Sequence, residues 1–191
     1  MVRLYKAQIL SFMESSTPAL YHAAPSTLAW IDRVQVRFLK EIDLSEVDAL
    51  RDFRLAPLKC RRDIAMLGVL HKVNLGTAPP QLSALFPKIG LVDELPERCR
   101  LRFWRQLHNM QLATPVDLSS SDVLRRSVFG LVRCYNKLPQ IMVDAKTLKL
   151  LQRELQLGLL RYAERGADEW KTLYSASWKV LPRTQFDNAI L

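Results

Sequence analysis

The chain has few of the residues from which disulfide frameworks are built. It contains 3 cysteines among 191 residues, and Cys60, Cys99 and Cys134 lie far apart in the sequence. An odd number of widely spaced cysteines forms neither a disulfide framework nor a Cys-x-x-Cys metal site. We therefore expect three reduced, buried thiols, because free cysteine is among the most commonly buried residue types. Reduced thiols indicate an intracellular protein and do not distinguish nucleus from cytoplasm.

The groups that hold a metal, a cofactor or a phosphate in an active site are also missing from the sequence. His22, His71 and His108 each stand without a second His, Cys or carboxylate at ligand spacing, whereas a zinc site or a catalytic triad needs several convergent groups. No glycine-rich loop is followed by Lys-Ser or Lys-Thr to cradle phosphate. We expect no catalytic residue, no metal and no cofactor.

The chain has no long apolar run. Its longest stretch without a charged residue, Ser15 to Ile31, contains Pro18 and Pro25, whereas a membrane-spanning helix needs about 20 apolar residues. The N-terminal residues Met-Val-Arg-Leu-Tyr-Lys lack the apolar core and small cleavage residues of a secretory signal. We expect no membrane partner.

What the chain does have is a globular composition and an excess of positive charge. An apolar fraction of 49% over 191 residues suits one or two small domains. Of the net charge of +9, most lies in residues 98–165, which contain 13 Lys or Arg against 5 Asp or Glu. Residues 1–97 contain 12 against 11, and residues 166–191 contain 3 against 3. A local basic field attracts polyanions, of which nucleic acid is the first candidate.

Apolar periodicity predicts an N-terminal helical bundle over residues 1–86. The first helix, over residues 4–13, has an apolar side formed by Tyr5, Ile9, Phe12 and Met13. A capping box at Ser45 begins a short helix to about residue 53, a proline at 57 begins a helix to about residue 73, and the prolines at 79 and 80 begin one more short helix. Residues 87–97, with two prolines, a glycine and three acids, are interpreted as a linker.

The helix predicted over residues 28–42 has two stripes. Its core stripe is formed by Ile31, Val34, Phe38 and Ile42. Arg33, Arg37 and Lys40 recur at the same spacing on another face. Like charges at that spacing slightly destabilise an isolated helix, and a polyanion lying alongside would relieve the repulsion.

The smaller basic subdomain, residues 98–165, is predicted to be helical after its first residues. Arg98 to Phe103 alternates basic and apolar residues, which is typical of a short strand with one basic face; a helix through Leu101, Trp104 and Leu107 is the alternative. One helix is predicted over residues 123–138, and the longest helix over residues 144–164, capped by Asp144. Gly166 is expected to end that helix, before a tail over residues 166–191. The predicted fold class is therefore mainly α.

Several segments together resemble the region downstream of the polymerase core in reverse transcriptases of non-LTR (LINE-type) retrotransposons. They are Leu4-Tyr5-Lys6, Trp30-Ile31-Asp32-Arg33-Val34-Gln35, Leu55-Ala56-Pro57-Leu58 with Arg61-Arg62-Asp63, and Tyr135-Asn136-Lys137-Leu138-Pro139. They occur in the family's order over roughly residues 4–156. The last segment has tyrosine where the family usually has tryptophan.

The resemblance implies a thumb and post-thumb region without the catalytic palm. Reverse transcriptases hold two magnesium ions with paired aspartates, and no two aspartates are adjacent in this chain. The expected function is therefore nucleic-acid contact without polymerase activity, next to a palm supplied upstream. The residues expected to contact RNA or DNA phosphates are Arg33, Arg37, Lys40, Arg98, Arg100, Arg102, Arg105, Arg125, Arg126 and Arg133.

Each of these residues also has an ordinary structural interpretation. Exposed arginines usually pair with nearby acids or stay solvated, and this interpretation is favoured for the Arg61-Arg62 and Arg125-Arg126 pairs. Trp104, among arginines, could stack on bases or be buried. The competing function is a helical protein-interaction module without a nucleic-acid role.

The sequence predicts binding of RNA or DNA with a steep salt dependence. If about five phosphates are neutralised, log affinity should fall with log salt at a slope near −4 to −5 on a duplex. Reversing the charges of Arg98, Arg100 and Arg102 together should shallow that slope by up to about three units. The same change at Lys171 and Lys179 should have little effect. Filter binding at several salt concentrations measures both, and a slope unaltered by the triple reversal would favour the interaction module.

Overall fold

The computed structural model describes residues 1–89, 108–113, 121–167 and 169–175, and it confirms the mainly α fold class. The N-terminal part begins with α1 (Val2–Tyr5), a π-helical turn (Lys6–Leu10) and α2 (Ser11–Ser15), which follow one another without a break. The helices after them are α3 (Thr17–Leu20), α4 (Pro25–Glu41), α5 (Glu46–Phe53), α6 (Leu58–Asn74) and α7 (Pro80–Ala84).

In the described ranges, the C-terminal part continues with four helices and a 3₁₀ turn. They are α8 (Asp122–Arg126), α9 (Val128–Tyr135), α10 (Gln140–Val143), α11 (Leu148–Glu164) and the turn Trp170–Thr172. Within the described ranges, extended pairing is confined to an antiparallel bridge between Lys88 and Leu112. The strand considered for Arg98–Phe103 lies outside the described residues.

The π-helical turn changes which side chains of the first helix face the core. Tyr5 and Leu10 are buried, whereas Ile9 is 44% and Phe12 is 74% exposed. The prediction that Ile9 and Phe12 share an apolar side with Tyr5 was therefore wrong. A π turn inserts one residue into the helix, so the residue five positions after Tyr5 faces the core in place of the one four positions after it.

Helix α4 begins three residues earlier than predicted. Ile31, Phe38 and Ile42 of the predicted core stripe pack against buried residues, whereas Val34 does not. Gln35 and Leu39 are the buried residues of α4, while Val34 is 44% exposed. The side-chain amide of Gln35 donates to the carbonyl oxygen of Ala56 at 3.0 Å, in the turn before α6. This bond draws a polar residue into the contact with the core, and Val34 is turned outward as a result.

Helix α6 lies at the centre of the described structure. It packs against α3, α4, α9, α11 and the turn Trp170–Thr172, so most of its surface is buried, and Lys59 and Lys72 are its exposed residues. Ile64, Leu67 and Leu70 are buried as predicted. Gly68 allows α11 to approach closely, since a Cβ there would lie 2.4 Å from Leu148 Cδ1.

The helix predicted over residues 123–138 is broken into α8 and α9. Ser127 between them has an extended backbone, with φ −85° and ψ −178°, and its hydroxyl accepts from the backbone amide of Phe129 at 3.2 Å. A serine that caps a helix in this way competes with helix continuation. Leu131, Tyr135 and Leu138, which are spaced to share one side of the predicted helix, all lie after the break and are fully buried.

The helix that was predicted to be the longest, α11, starts later than predicted and is capped by another residue; its 17 residues equal the length of α4 and of α6. Thr147 accepts from the backbone amide of Leu150 at 3.3 Å, whereas Asp144 accepts from the Gln140 side chain at 2.6 Å. The prediction that Asp144 is the cap was therefore wrong. Gly166 has a positive φ of 70° just after α11, which confirms its expected role at the helix end.

One buried cluster contains residues from both predicted subdomains and from the first part of the predicted tail. Leu67 of α6, Leu131 of α9 and Leu155 of α11 belong to it, together with Trp170 and Tyr174. A second, smaller cluster joins α1, α4, α5 and the start of α6. Most of the predicted linker lies outside the described residues, so its position stays a prediction. None of the helices in the described ranges is long and apolar enough to span a membrane.

Tyr135 lies in a buried polar network that orients α9 on α6. His71 Nε2 faces the carbonyl oxygen of Ala145 at 2.7 Å, so this nitrogen donates, and Nδ1 accepts from the Tyr135 hydroxyl at 2.9 Å. Asn74 donates to the same hydroxyl at 3.1 Å. Burial lowers the pKa of His71 below its usual value, so the neutral ring that the network requires is favoured.

Asp63 of α6 is the described acid in the least favourable environment. The Tyr21 hydroxyl donates to its Oδ1 at 2.6 Å, and its Oδ2 has no hydrogen-bond partner among the described residues. Burial raises the pKa of Asp63 to about 7, against the opposing effects of the Tyr21 hydrogen bond, Lys59 and Arg62. The carboxyl group is therefore neutral in the folded protein below pH 7 and must be ionised, while buried, above it.

We predict that Asp63→Asn gains stability relative to the parent chain as the pH rises. The pKa of Asp63 is higher in the folded chain than in the unfolded chain. Its protonated carboxyl group therefore stabilises the folded state fully below about pH 4, and this contribution is lost as the pH rises through about 7. Asparagine does not titrate. The unfolding free energy of Asp63→Asn should therefore rise relative to that of the parent chain by up to about 4 kcal/mol between pH 4 and pH 8. Urea denaturation at both pH values measures it. Because His71 and His108 are present in both proteins, their titration cancels; a difference that is constant with pH would contradict the prediction.

Candidate nucleic-acid interface

The outward face of α4 carries three cations on the side opposite its buried residues. At 3.6 residues per turn, Arg33, Arg37 and Lys40 lie within about 60° of one another around the helix axis, and Gln35 and Leu39 lie on the other side. All three cations are exposed, and none of them forms an ion pair with any residue in the described ranges. We call Trp30, Arg33, Arg37 and Lys40 the α4 face.

Trp30 is the member of the α4 face that sequence analysis did not identify as a candidate. Its side chain is 68% exposed, and the guanidinium carbon of Arg33 lies 4.5 Å from the centre of its ring. In the sequence, Trp30 is part of a motif and could be taken for a core residue. The available signal was its spacing of three and seven residues from Arg33 and Arg37, which places it on the basic stripe.

The acids near the α4 face are directed away from it or lie at its end. Asp32 is on the core side, where both of its oxygens accept from Arg62. Glu41 is exposed at the C-terminal end of α4, about 16 Å along the helix from Trp30 at 1.5 Å per residue. Within α4, no acid therefore lies on the same side within one turn of Trp30 or Arg33, whereas Glu41 lies one turn after Arg37 and forms no ion pair with it.

The Arg61-Arg62 pair has a structural role, as favoured from the sequence. Arg62 is almost completely buried, and its two terminal nitrogens donate to Asp32 at 2.7 and 2.9 Å. Such a bidentate bond fixes the two helices in one register. Arg61 pairs with Glu14 of α2. Neither guanidinium is directed toward solvent in the way that phosphate binding requires.

The arginines of α8 and α9 are placed differently from one another. Arg125 is exposed and pairs with Asp122 one turn earlier on α8. Arg126 is partly buried, and its side chain lies 3.5 Å from the carbonyl oxygen of Ala23 and 3.2 Å from that of Asp122. Arg133 is exposed on α9. Arg126 thus connects α8 to the residues just before α4, which places α8 beside the start of that helix.

Part of the predicted site falls outside the described residues. It comprises Arg98, Arg100, Arg102, Arg105 and the neighbouring Trp104. Their contribution to nucleic-acid binding stays a prediction. Within the described ranges the candidate interface consists of the α4 face, Arg125 and Arg133.

The two described thiols and the two buried histidines are structural. Burial raises the pKa of both Cys60 and Cys134 to about 12, so these thiols stay protonated and unreactive. His71 and His108 are buried and bonded to backbone carbonyls, at 2.7 and 3.0 Å. Among the described residues, no group of three or more His, Cys, Asp or Glu side chains could hold a metal ion.

Two of the segments that carry the resemblance contact each other, and the last one packs on α6, the helix that contains Arg61-Arg62-Asp63 of the third. Asp32 and Gln35 of the second segment bind Arg62 and the carbonyl oxygen of Ala56 in the third, and Tyr135 of the last segment bonds to α6. Comparison of the chain with protein-family models, curated proteins and solved structures gives no match.

We predict that Asp32→Asn destabilises the fold by about 2 kcal/mol, because a buried guanidinium then loses its charged partner. The matched control is Asp122→Asn, which removes the partner of the exposed Arg125 and should change stability little. Thermal and urea unfolding of the two variants measure the difference. Equal effects of both substitutions would show that the Asp32–Arg62 pair does not hold α4 on α6.

Proposed function

We propose that this chain contacts RNA or DNA phosphates through the α4 face. The observation that carries the proposal is the exposure of Arg33, Arg37 and Lys40 on one side of one helix, without an ion pair to the described residues. Solvated cations that lie in a row release counterions from a nucleic acid when they neutralise its phosphates. Surface arginines that already have acidic partners, such as Arg125, contribute less to this effect.

Contacts of this kind position a nucleic acid and do not read its sequence. At 1.5 Å per residue, Arg33 and Lys40 are about 10 Å apart along α4, and the three cations face the same direction. The face therefore suits a backbone that runs alongside the helix. Affinity with weak sequence preference and steep salt dependence follows from this arrangement.

In its more specific form, the proposal assigns the chain to the thumb and post-thumb region of a LINE-type reverse transcriptase. It is supported by the ordered segments of the sequence and by the contacts of three of them around α6. In this form the chain has no polymerase activity by itself, because it has no adjacent aspartates to hold magnesium, and a palm supplied by an upstream region or another chain performs catalysis.

A helical protein-interaction module is the second candidate function. The observation that favours it is the exposure of apolar side chains on the first helix, where Leu4 is 57% and Phe12 is 74% exposed. Large apolar residues exposed together are typical of protein interfaces. The two candidates use different surfaces, so substitutions on the α4 face distinguish them.

We predict that replacing Arg33, Arg37 and Lys40 together by glutamate weakens nucleic-acid binding and shallows its salt dependence. Each lost phosphate contact reduces the slope of log affinity against log salt by about 0.9 on a duplex, so the triple reversal should reduce it by up to about three units. Fluorescence anisotropy with a labelled duplex at several salt concentrations measures the slope.

The matched control replaces Arg3, Lys59 and Lys72 by glutamate. These three residues are also exposed, form no ion pair with described residues and lie on other helices, so the control changes the net charge equally. It should change the slope much less than the α4 triple. Equal effects would attribute binding to net charge alone, and no binding by the parent chain would leave the interaction module as the better candidate.

A further inference from the structure

We propose that Trp30 is a stacking platform for an unpaired base, so that the α4 face prefers single-stranded nucleic acid to a duplex. The inference rests on the proposed function, because the neighbouring cations must hold a nucleic-acid backbone. It adds a substrate class that phosphate contacts alone do not define. The carrying observation is a 68% exposed indole placed on the same side of α4 as three cations.

The exposure of Trp30 is not explained by packing. Tryptophan is usually highly buried in a folded chain, and the core side of α4 is occupied by Gln35 and Leu39. Trp30 belongs to neither of the two buried clusters of the described structure. Its ring therefore covers little of the protein, and most of its surface is available to a ligand.

Arg33 gives the indole a defined orientation. Its guanidinium carbon lies 4.5 Å from the ring centre, which is the geometry of a cation–π contact. This contact covers part of one face of the ring and leaves the other face to solvent. A ring that is already oriented loses less side-chain entropy when a base stacks on it.

The cations are spaced to follow a strand whose base stacks on Trp30. Arg37 and Lys40 lie about 10 and 15 Å farther along the helix at 1.5 Å per residue, within about 80° of Trp30 around the axis. A base stacked on the ring would thus place the adjoining backbone over the cations. Aromatic side chains alternating with cations along a groove or ridge are the usual means of binding single strands without sequence preference.

The preference for single strands follows from the accessibility of base faces. In a duplex both faces of each internal base are covered by its neighbours, so Trp30 can stack on one only after unstacking it, at a free-energy cost. An unpaired base offers its face directly. The phosphates of both forms remain accessible to Arg33, Arg37 and Lys40.

The test compares the parent chain with Trp30→Ala and Trp30→Phe, using a labelled oligothymidylate and the duplex formed with its complement. Trp30→Ala should weaken single-strand binding about 5-fold or more, leave duplex binding nearly unchanged and leave the salt slope on the single strand unaltered. Trp30→Phe keeps a π face and should retain most of the affinity. Saturation with oligothymidylate should also quench tryptophan fluorescence in the parent chain, and less so in Trp30→Phe.

Phe12→Ala is the matched control, because Phe12 is an exposed aromatic on another helix, 74% exposed, and its removal should not change either affinity. If the parent chain binds both nucleic acids with a steep salt slope and Trp30→Ala affects neither, the stacking inference is wrong and phosphate contact stands. An equal loss on single strand and duplex also overturns it. If the parent chain binds neither, the proposed function itself is wrong.

Discussion

The described structure depends on the burial of α6, most of whose side chains are covered by neighbouring elements. The polar side chains on its buried sides have no access to water, so each of them needs a partner from a neighbouring element. Its buried polar residues are Arg62, Asp63, His71 and Asn74. Their partners come from α4, from the residues after α3, from α9 and from residues 108–113. These bonds determine which elements pack on α6 and in which register, a selectivity that apolar contacts alone would not provide.

The same constraint determines which arginines are left for binding. Arg62 is used to hold α4 on α6 through Asp32, and this pairing turns the opposite side of α4 toward solvent. Arg33 and Arg37 are exposed as a consequence. The interior bond and the exposed basic face are therefore two results of one helix orientation, and a rotation of α4 that buried Trp30 would also separate Asp32 from Arg62.

Much of the fold could be predicted from local chemistry. Apolar spacing identified the central helix and its core residues Ile64, Leu67 and Leu70. Ser45 was correctly identified as the residue that caps α5, since its hydroxyl accepts from the amide of Asp48. The errors occurred where one residue has a conformation that spacing does not reveal. Ser127 interrupts the helix that was predicted over residues 123–138, and the π turn before Leu10 shifts the register of the first helix by one position. Neither feature changes the composition of the segment in which it occurs.

For the candidate site, the sequence by itself determined that Arg33, Arg37 and Lys40 share a helix face, because helical spacing depends only on residue numbers. It did not determine whether that face is exposed, or that Trp30 belongs to it. Arg61 and Arg62 show the difference most clearly: they are adjacent basic residues in the sequence, and one is almost fully buried against Asp32 while the other pairs with Glu14. Only the tertiary structure assigns each cation to an acid or to solvent, because the partners are distant along the chain and the choice follows from how α4 and α2 pack on α6.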